Sequence, residues 1–241
     1  MAFKALVGSH NYNLADENSD KDYKMFVLPT FEDLYKGKMY SKQTIGETED
    51  LDVHDIRKVV NLFYKSNINF IEVLFTNELH VNGALNSAQK DLIDRLFLMK
   101  DDIVRINLPY LFNACGGMYK QKMSLLHKGT EGTQHLVDKY GYDTKQALHA
   151  YRVLDFIVRF ADTDFQDFKK AITYNEKERE FMMEIKGGFF DIKSFTNFIT
   201  FYHDAKFKQL KDKYHSFEPN EKVKEEIESI IMELVRISIQ K

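Results

Sequence analysis

The sequence predicts an α+β protein, with a small mixed β-sheet in the first third and a mostly helical C-terminal region. Two short apolar runs, Phe3 to Val7 and Tyr23 to Leu28, have the composition of strands and are parted by a Gly-Ser turn and a polar loop. Beyond about residue 85, apolar residues recur every three or four positions, the period of a helix face. The three prolines, Pro29, Pro109 and Pro219, stand where elements would end or begin. We therefore expect an α/β core over residues 1–85 and a helical domain over residues 86–241.

After the second strand, Thr30 to Tyr35 reads as a short capped helical turn ended by Gly37. Gln43 to Val53 is expected as a third strand, with Leu51 and Val53 on one face and Asp50, Asp52 and His54 on the other. From Asp55 the spacing of Ile56, Val59, Val60, Phe63 and Tyr64 turns helical, and Asn67 to Phe75 follows as a turn and a short apolar helical element. Leu92, Leu96 and Met99 mark the next helix, then come Leu108 to Leu126 and Thr144 to Phe160. Glu176 to Lys186 ends at Gly187-Gly188, a stop signal, and Ile192 to Tyr214 is expected as one long helix. Asn220 caps a last helix whose buried stripe is Val223, Ile227, Ile230, Ile231, Leu234 and Ile237.

Composition bounds the function. At 241 residues the chain can bury a sizeable core, and 44% hydrophobic with 29% charged residues is ordinary for a soluble globular protein. A net charge of −3 supplies no global field toward a polyanion, so any nucleic-acid contact must come from a local patch. The single cysteine, Cys115, excludes an intrachain disulfide and a thiolate zinc cluster and fits a reducing, cytoplasmic setting. The first seven residues are too short for a signal-peptide apolar region, and no run approaches a membrane span. None of the eight histidines forms a His-x-x-x-His or His-Glu-x-x-His pair, and there is no Gly-x-Ser-x-Gly elbow, so zinc hydrolases and elbow-type serine hydrolases lack their machinery. Ala114 to Lys122 lacks the Gly-Lys-Ser/Thr ending of a P-loop and reads as a helix contact made possible by small residues, with Lys120 and Lys122 near the substrate.

The chemistry concentrates between Val7 and Val27. Side chains two apart on a strand leave the same face, so Asp20 and Asp22 can point at one spot, and two hard carboxylates there suit Mg²⁺ or Mn²⁺. If a helix begins at Gly8-Ser9, its N–H groups would offer an anion site for the phosphates such a metal carries. A third carboxylate belongs at Asp50 or Asp52. The apolar-acid-apolar form of Leu51-Asp52-Val53 favours Asp52 on local pattern. Farther on, Lys145, His149 and Arg152 stand at i, i+4 and i+7, lining one helix face with donors while Leu148, Tyr151 and Leu154 turn to a core. The Lys206, Lys208, Lys211 and Lys213 group reads as a solvated face and as a further candidate for a nucleic-acid contact.

An apolar residue, then Gly8-Ser9, then Asp20-x-Asp22 resembles the signature of the nucleotidyltransferase superfamily that includes DNA polymerase beta. With Tyr12, Leu14 and Ser19, it is similar more narrowly to the RlaP-like bacterial and phage nucleotidyltransferases associated with RNA repair. Asp143, Lys145, His149 and Arg152 match that family's Asp-x-Lys-x-x-x-His-x-x-Arg, Asn67 and Glu72 its Gly-Asn-Pro-x-x-x-Glu, and Ile185, Lys186 and Gly188 its Ile-Arg-x-Gly. The chain departs where His10 replaces Arg, Asn13 replaces Gly, Ser66 and Ile68 replace Gly and Pro, and Lys186 replaces Arg. Matching Ile56-Arg57-Lys58 to the family's Leu-Arg-Lys moves the third acid to Asp50, which we prefer while keeping both. The resemblance implies a two-metal nucleotidyltransferase. Asp20, Asp22 and Asp50 would hold the metals, Gly8, Ser9, His10 and Ser19 would line the nucleotide phosphates, and Lys145, His149 and Arg152 would reach across from a helical domain that completes the cleft. The NTP would be ATP or another nucleotide, and the acceptor an RNA or tRNA end or a protein hydroxyl. The alternative is a catalytically weak nucleotide-binding regulator or a partner-binding protein.

Overall fold

The computed structural model describes residues 1–17, 19–46 and 48–240. Asn18, inside the loop before Asp20, and Glu47, inside the expected third strand, lie outside the described residues. The chain forms two compact units, residues 1–107 with 219–241, and residues 108–218.

The first unit is built on five strands, β1 (Phe3–Val7), β2 (Lys21–Val27), β3 (Ser41–Ile45), β4 (Glu49–Asp55) and β5 (Leu79–Val81), in the order β3-β4-β2-β1-β5. β1 runs antiparallel to β2 and β5, β3 antiparallel to β4, and β2 parallel to β4, so the sheet is mixed. The segment expected as one strand from Gln43 to Val53 is instead a hairpin of β3 and β4. Gly46 begins its turn, and its N–H donates to Asp50 Oδ1 at 3.3 Å. Thr30 and Asp33 form a reciprocal capping box at the start of α1 (Phe31–Tyr35), as the sequence predicts. The helices α2 (Val59–Tyr64), α3 (Ile68–Ile71), α4 (Ser87–Leu98) and α5 (Lys100–Ile103) follow. Ser66, where the resemblance has glycine, takes φ +45, so the backbone keeps the left-handed turn without the residue best suited to it. Phe3, Phe26, Ile56, Phe63 and Ile71 are fully buried at the centre of this unit.

The carboxy-terminal helix, Glu221–Ile239, packs on α2 and α4 and buries Val223, Ile227, Ile230, Ile231 and Leu234. By compactness this helix belongs with the sheet unit. α4 meets the sheet where Phe97 lies edge-on to Phe3 at 5.3 Å.

The second unit consists of α6 (Leu108–Ser124), α7 (Gln134–Tyr140), α8 (Thr144–Asp162), α9 (Phe168–Ile172), α10 (Glu176–Lys186), α11 (Ile192–Tyr202) and α12 (Lys211–His215). α8 is its axis and packs against α6, α7, α9, α10 and α11, burying Ala147, Leu148, Tyr151, Leu154 and Ile157. The expected single helix from Ile192 to Tyr214 is interrupted. A π-type turn at His203–Phe207 and a tight turn at Lys208–Leu210 separate α11 from α12. The widened turn seats Phe207 on α6, where its ring stacks on Phe112 at 4.3 Å and lies against Gly116, whose missing side chain allows the approach. No helix among the described residues is long and apolar enough to cross a membrane.

Candidate active site

The site of the first unit starts where β1 ends. The register pairs Val7 with Asp22, so the next residue, Gly8, meets the carboxylate of Asp22. Gly8 takes φ +71, and a β-carbon on it would come within 3.0 Å of Asp22 Oδ2, closer than real β-carbons approach. Glycine is required here on both counts.

A helix does not begin at this turn. Gly8–His10 is a single 3₁₀ turn, closed by Asn11 N–H donating to the Gly8 carbonyl at 3.0 Å. The Gly8 N–H, which the sequence offered to phosphate, donates to Glu72 Oε2 at 3.0 Å. Glu72 is 3% exposed, and its own carbonyl accepts from Asn11 Nδ2 at 3.4 Å, so one buried residue holds both ends of the turn. Asn13, in place of glycine, takes φ +63, a conformation asparagine tolerates. His10, in place of arginine, has Nε2 3.1 Å from the Ser19 carbonyl and ties the loop shut just before Asp20. Ser19 Oγ bonds Asp16, accepting from its N–H at 2.9 Å and donating to its carboxylate at 3.1 Å.

The parallel pairing of β2 with β4 puts Asp22 beside Asp50 and Lys24 beside Asp52, all four on one face. Asp20 precedes β2 by one residue and is exposed. The two candidates for the third acid differ in their neighbours. Asp50 accepts the Gly46 N–H noted above. Asp52 is ion-paired to Lys24 Nζ at 2.7 Å and lies 2.8 Å from His54 Nε2. Burial works to raise the Asp52 pKa, but hydrogen bonds from Lys24 and His54 prevail and hold it below the ordinary carboxylate range. Lys24 itself is 9% exposed, with its ammonium 4.4 Å above the Phe70 ring. Among the described residues no three His, Cys, Asp or Glu side chains converge on a point that could hold a metal ion. Two adjacent carboxylates completed by substrate phosphates, in place of an all-protein cage, is nevertheless the donor set Mg²⁺ commonly takes.

In the second unit, the Asp143 side chain caps α8 by accepting from Gln146 N–H at 3.0 Å. Lys145, His149 and Arg152 follow on one face of that helix. His149 is pushed well below the ordinary histidine range, first by burial, then by Arg152, Lys122, Lys145 and Lys186, so it is neutral at pH 7. Lys122 is also held down by burial and by Arg152 and Lys145, with Asp143 opposing. The triad the sequence singles out on α8 is therefore part of a larger cationic group with one lysine from α6 and one from α10. Of the other lysine group, Lys208 pairs with Asp204, and Lys213 Nζ donates to the Ala161 carbonyl and Asp164 Oδ1, each at 2.7 Å. Those two cations serve the fold. Cys115 is buried, with its thiol pushed up to about 12, and is no nucleophile at neutral pH.

Two residues matter more than their sequence pattern suggests. Glu72 was legible as part of a motif but not as the acceptor of Gly8 N–H. Lys24 carried a signal that local reading passes over, since it lies two residues from Asp22 and so on the same strand face. The model of one protein family, RlaP, described as the RNA repair pathway DNA polymerase beta family, matches residues 1–222. No curated protein and no solved structure matches the chain.

Proposed function

We propose, on the premise that this chain belongs to the RlaP family, the DNA polymerase beta family of the RNA repair pathway, that it transfers a nucleoside monophosphate from an NTP to an acceptor hydroxyl. Membership supports a transferase activity of the polymerase beta kind, and the transfer itself is our reading. The observation that carries it is the Asp22 carboxylate, pressed on the Gly8 turn with Asp50 in register beside it. Asp20, Asp22 and Asp50 would hold Mg²⁺ or Mn²⁺, which when bound would neutralise phosphate charge and acidify the acceptor hydroxyl.

The chain's own residues would do the rest. Ser9 and the backbone of its turn would bind phosphate oxygens, with the Gly8 N–H excluded while it donates to Glu72. His10 and Ser19 would order the loop ahead of the aspartates. The acceptor oxygen forms a bond to the α-phosphorus as the bond from that phosphorus to the bridging oxygen breaks. Asp50 would take the acceptor's proton, and pyrophosphate leaves. We prefer Asp50 because Asp52 is engaged by Lys24. In the second unit, Lys145 and Arg152 would keep the phosphate-binding role that the family resemblance implies, with neutral His149 on the same helix face.

The family description favours an RNA end as acceptor, with a tRNA end or a protein hydroxyl as the other candidates. The test is incubation with each α-³²P NTP, Mg²⁺ and total RNA or lysate, followed by separation of the labelled species. Labelled RNA is expected from the wild-type chain and none from Asp20→Asn. A mutant that transfers label at the wild-type rate refutes the assignment. A regulator that binds nucleotide without turnover is favoured by one observation, the Gly8 N–H committed to Glu72. It would show NTP binding by calorimetry and no product on any acceptor.

A further inference from the structure

We infer that the stretch from Phe31 to Ile45, comprising α1, β3 and the loop between them, is a docking surface for single-stranded RNA. Bases would stack on Phe31, Tyr35 and Tyr40 while the sugar-phosphate backbone passes Lys38 and Lys42. Every residue from Tyr35 to Gly46 is exposed, and no acidic residue stands between Leu34 and Gly46, although the whole chain carries a net charge of −3. Phe31 and Tyr35, one helical turn apart, are 71% and 82% exposed, with ring centroids 6.4 Å apart and planes 22° from parallel. Neither ring belongs to the core, and large apolar side chains gathered in solvent mark an interaction surface. The base of the stretch is fastened. Arg57, ion-paired to Asp55 at 2.6 Å, donates to the Lys38 carbonyl, and the Asp55 N–H donates to the Tyr40 carbonyl at 2.9 Å. A surface held in place before its partner arrives loses less freedom on binding.

Charge and ring chemistry point to the occupant. The two acids of this stretch stand on α1, where Asp33 accepts from the Thr30 N–H at 2.9 Å and from the Thr30 hydroxyl at 2.6 Å, and Glu32 pairs with Lys36. The excess positive charge therefore falls beyond α1, at Lys38 and Lys42. Aromatic faces interleaved with cations are what single-strand recognition uses, because every base has a face to stack and every nucleotide a phosphate to neutralise. Ser41, Gln43 and Thr44 offer hydrogen bonds to a 2′-hydroxyl, which favours RNA over DNA. β3 also gives the strand a direction. Its register sets Ser41, Gln43 and Ile45 opposite His54, Asp52 and Asp50, on the sheet face that carries Asp22. Ile45, 78% exposed, thus stands beside Asp50, with Tyr40 about 17 Å back along the strand. That Ile45 receives the reacting end of the RNA rests on the transfer reading above, but the docking does not. A second copy is the weaker occupant, since β3 is an outer strand that carries Lys42, and a lysine on an edge opposes pairing with another chain.

The test is fluorescence anisotropy on the full chain in EDTA, with labelled oligo-U and oligo-A RNA of about ten nucleotides, the matched DNA strands and an RNA duplex. We expect both RNA strands to bind more tightly than the DNA or the duplex. Phe31→Ala and Tyr35→Ala should each weaken RNA binding about tenfold, Tyr35→Phe should retain it and Tyr35→Leu should not, since stacking needs the ring. Melting temperatures should stay at the wild-type value, because both side chains are exposed. Lys38→Ala and Lys42→Ala should each lower the slope of log affinity against log salt by about 0.7. In the labelled-nucleotide assay, Ile45→Ser should raise KM for the RNA acceptor and not for the NTP, and an unchanged KM for RNA would part the docked strand from the site. No RNA binding by the wild-type chain, wild-type binding by a folded Phe31→Ala/Tyr35→Ala double variant, or equal binding of DNA or duplex overturns the inference. Binding to anionic lipid vesicles in place of RNA, or a dimer that the ring substitutions dissociate, overturns it in favour of those occupants. RNA binding in a chain that transfers no label leaves the docking surface standing and removes the transfer reading, and transfer without RNA binding does the reverse.

Discussion

In the folded chain the carboxylate of Asp22 rests against the Cα of Gly8, in a space that no β-carbon could share. The contact joins the end of one strand to the start of its antiparallel neighbour, and it gives the Gly-Ser motif a steric role beside any binding role.

Gly8→Ala should therefore act through Asp22. An L residue at φ +71 costs about 1–2 kcal/mol, and the new methyl group must displace the carboxylate. We expect a modest fall in melting temperature, together with a loss of transfer activity of about 10²-fold from misplacement of a reacting group. Comparing thermal melts with single-turnover rates separates the two. Full activity in a folded Gly8→Ala chain would show that the carboxylate position is immaterial.

Asp50→Asn and Asp52→Asn should separate chemistry from stability. Asp50→Asn is expected to remove transfer with little change in denaturant midpoint. Asp52→Asn strips Lys24 of its partner and is expected to cost roughly 1–3 kcal/mol, the penalty for a poorly satisfied buried group. Urea titrations and labelled-nucleotide assays on the two variants give the answer, and the reverse pattern would reassign the third carboxylate.

Glu72 is a positioning residue in this reading, since it touches the turn and not the reacting atoms. Glu72→Gln keeps an acceptor for Gly8 N–H, whereas Glu72→Ala leaves that donor without its partner. The alanine variant should need more Mg²⁺ for half-maximal rate, and glutamine should restore most of the wild-type dependence. Equal Mg²⁺ curves for all three chains would reduce Glu72 to a purely structural part.

His149 makes stability fall on acidification. Its folded-state pKa lies well below the ordinary value, so between that pKa and about 6.5 the unfolded chain takes up a proton that the folded chain refuses. The stability it contributes is fully present above about 6.5 and is lost as pH drops below it. His149→Gln should flatten the decline of melting temperature between about pH 7 and 5. An unchanged slope would mean that another group sets the acid limit.

The chemistry-bearing residue types and their faces were legible along the chain. Asp20 and Asp22 two apart, a Gly-Ser turn ahead of them, and a cationic stripe at helical spacing need only local periodicity, and so do the strands β1 and β2 and the axis helix α8. The hairpin hidden in Gln43 to Val53 was not, because alternation continues through a turn as readily as through a strand. The break after Tyr202 was not legible either, since it answers to Phe112 and Gly116 on another helix.

Sequence by itself thus determined which acidic and basic residues share a face, because side-chain direction follows from spacing within an element. Tertiary structure alone decided which of them are committed elsewhere. Asp50 and Asp52 share a face, so period two cannot part them, and only the register against β2 sets one beside Asp22 and the other beside Lys24. Glu72 claims the Gly8 N–H from 64 residues away, and Lys122 and Lys186 join the α8 cations from the ends of two other helices. Such partnerships are set by how elements pack, and no local period along the chain records them.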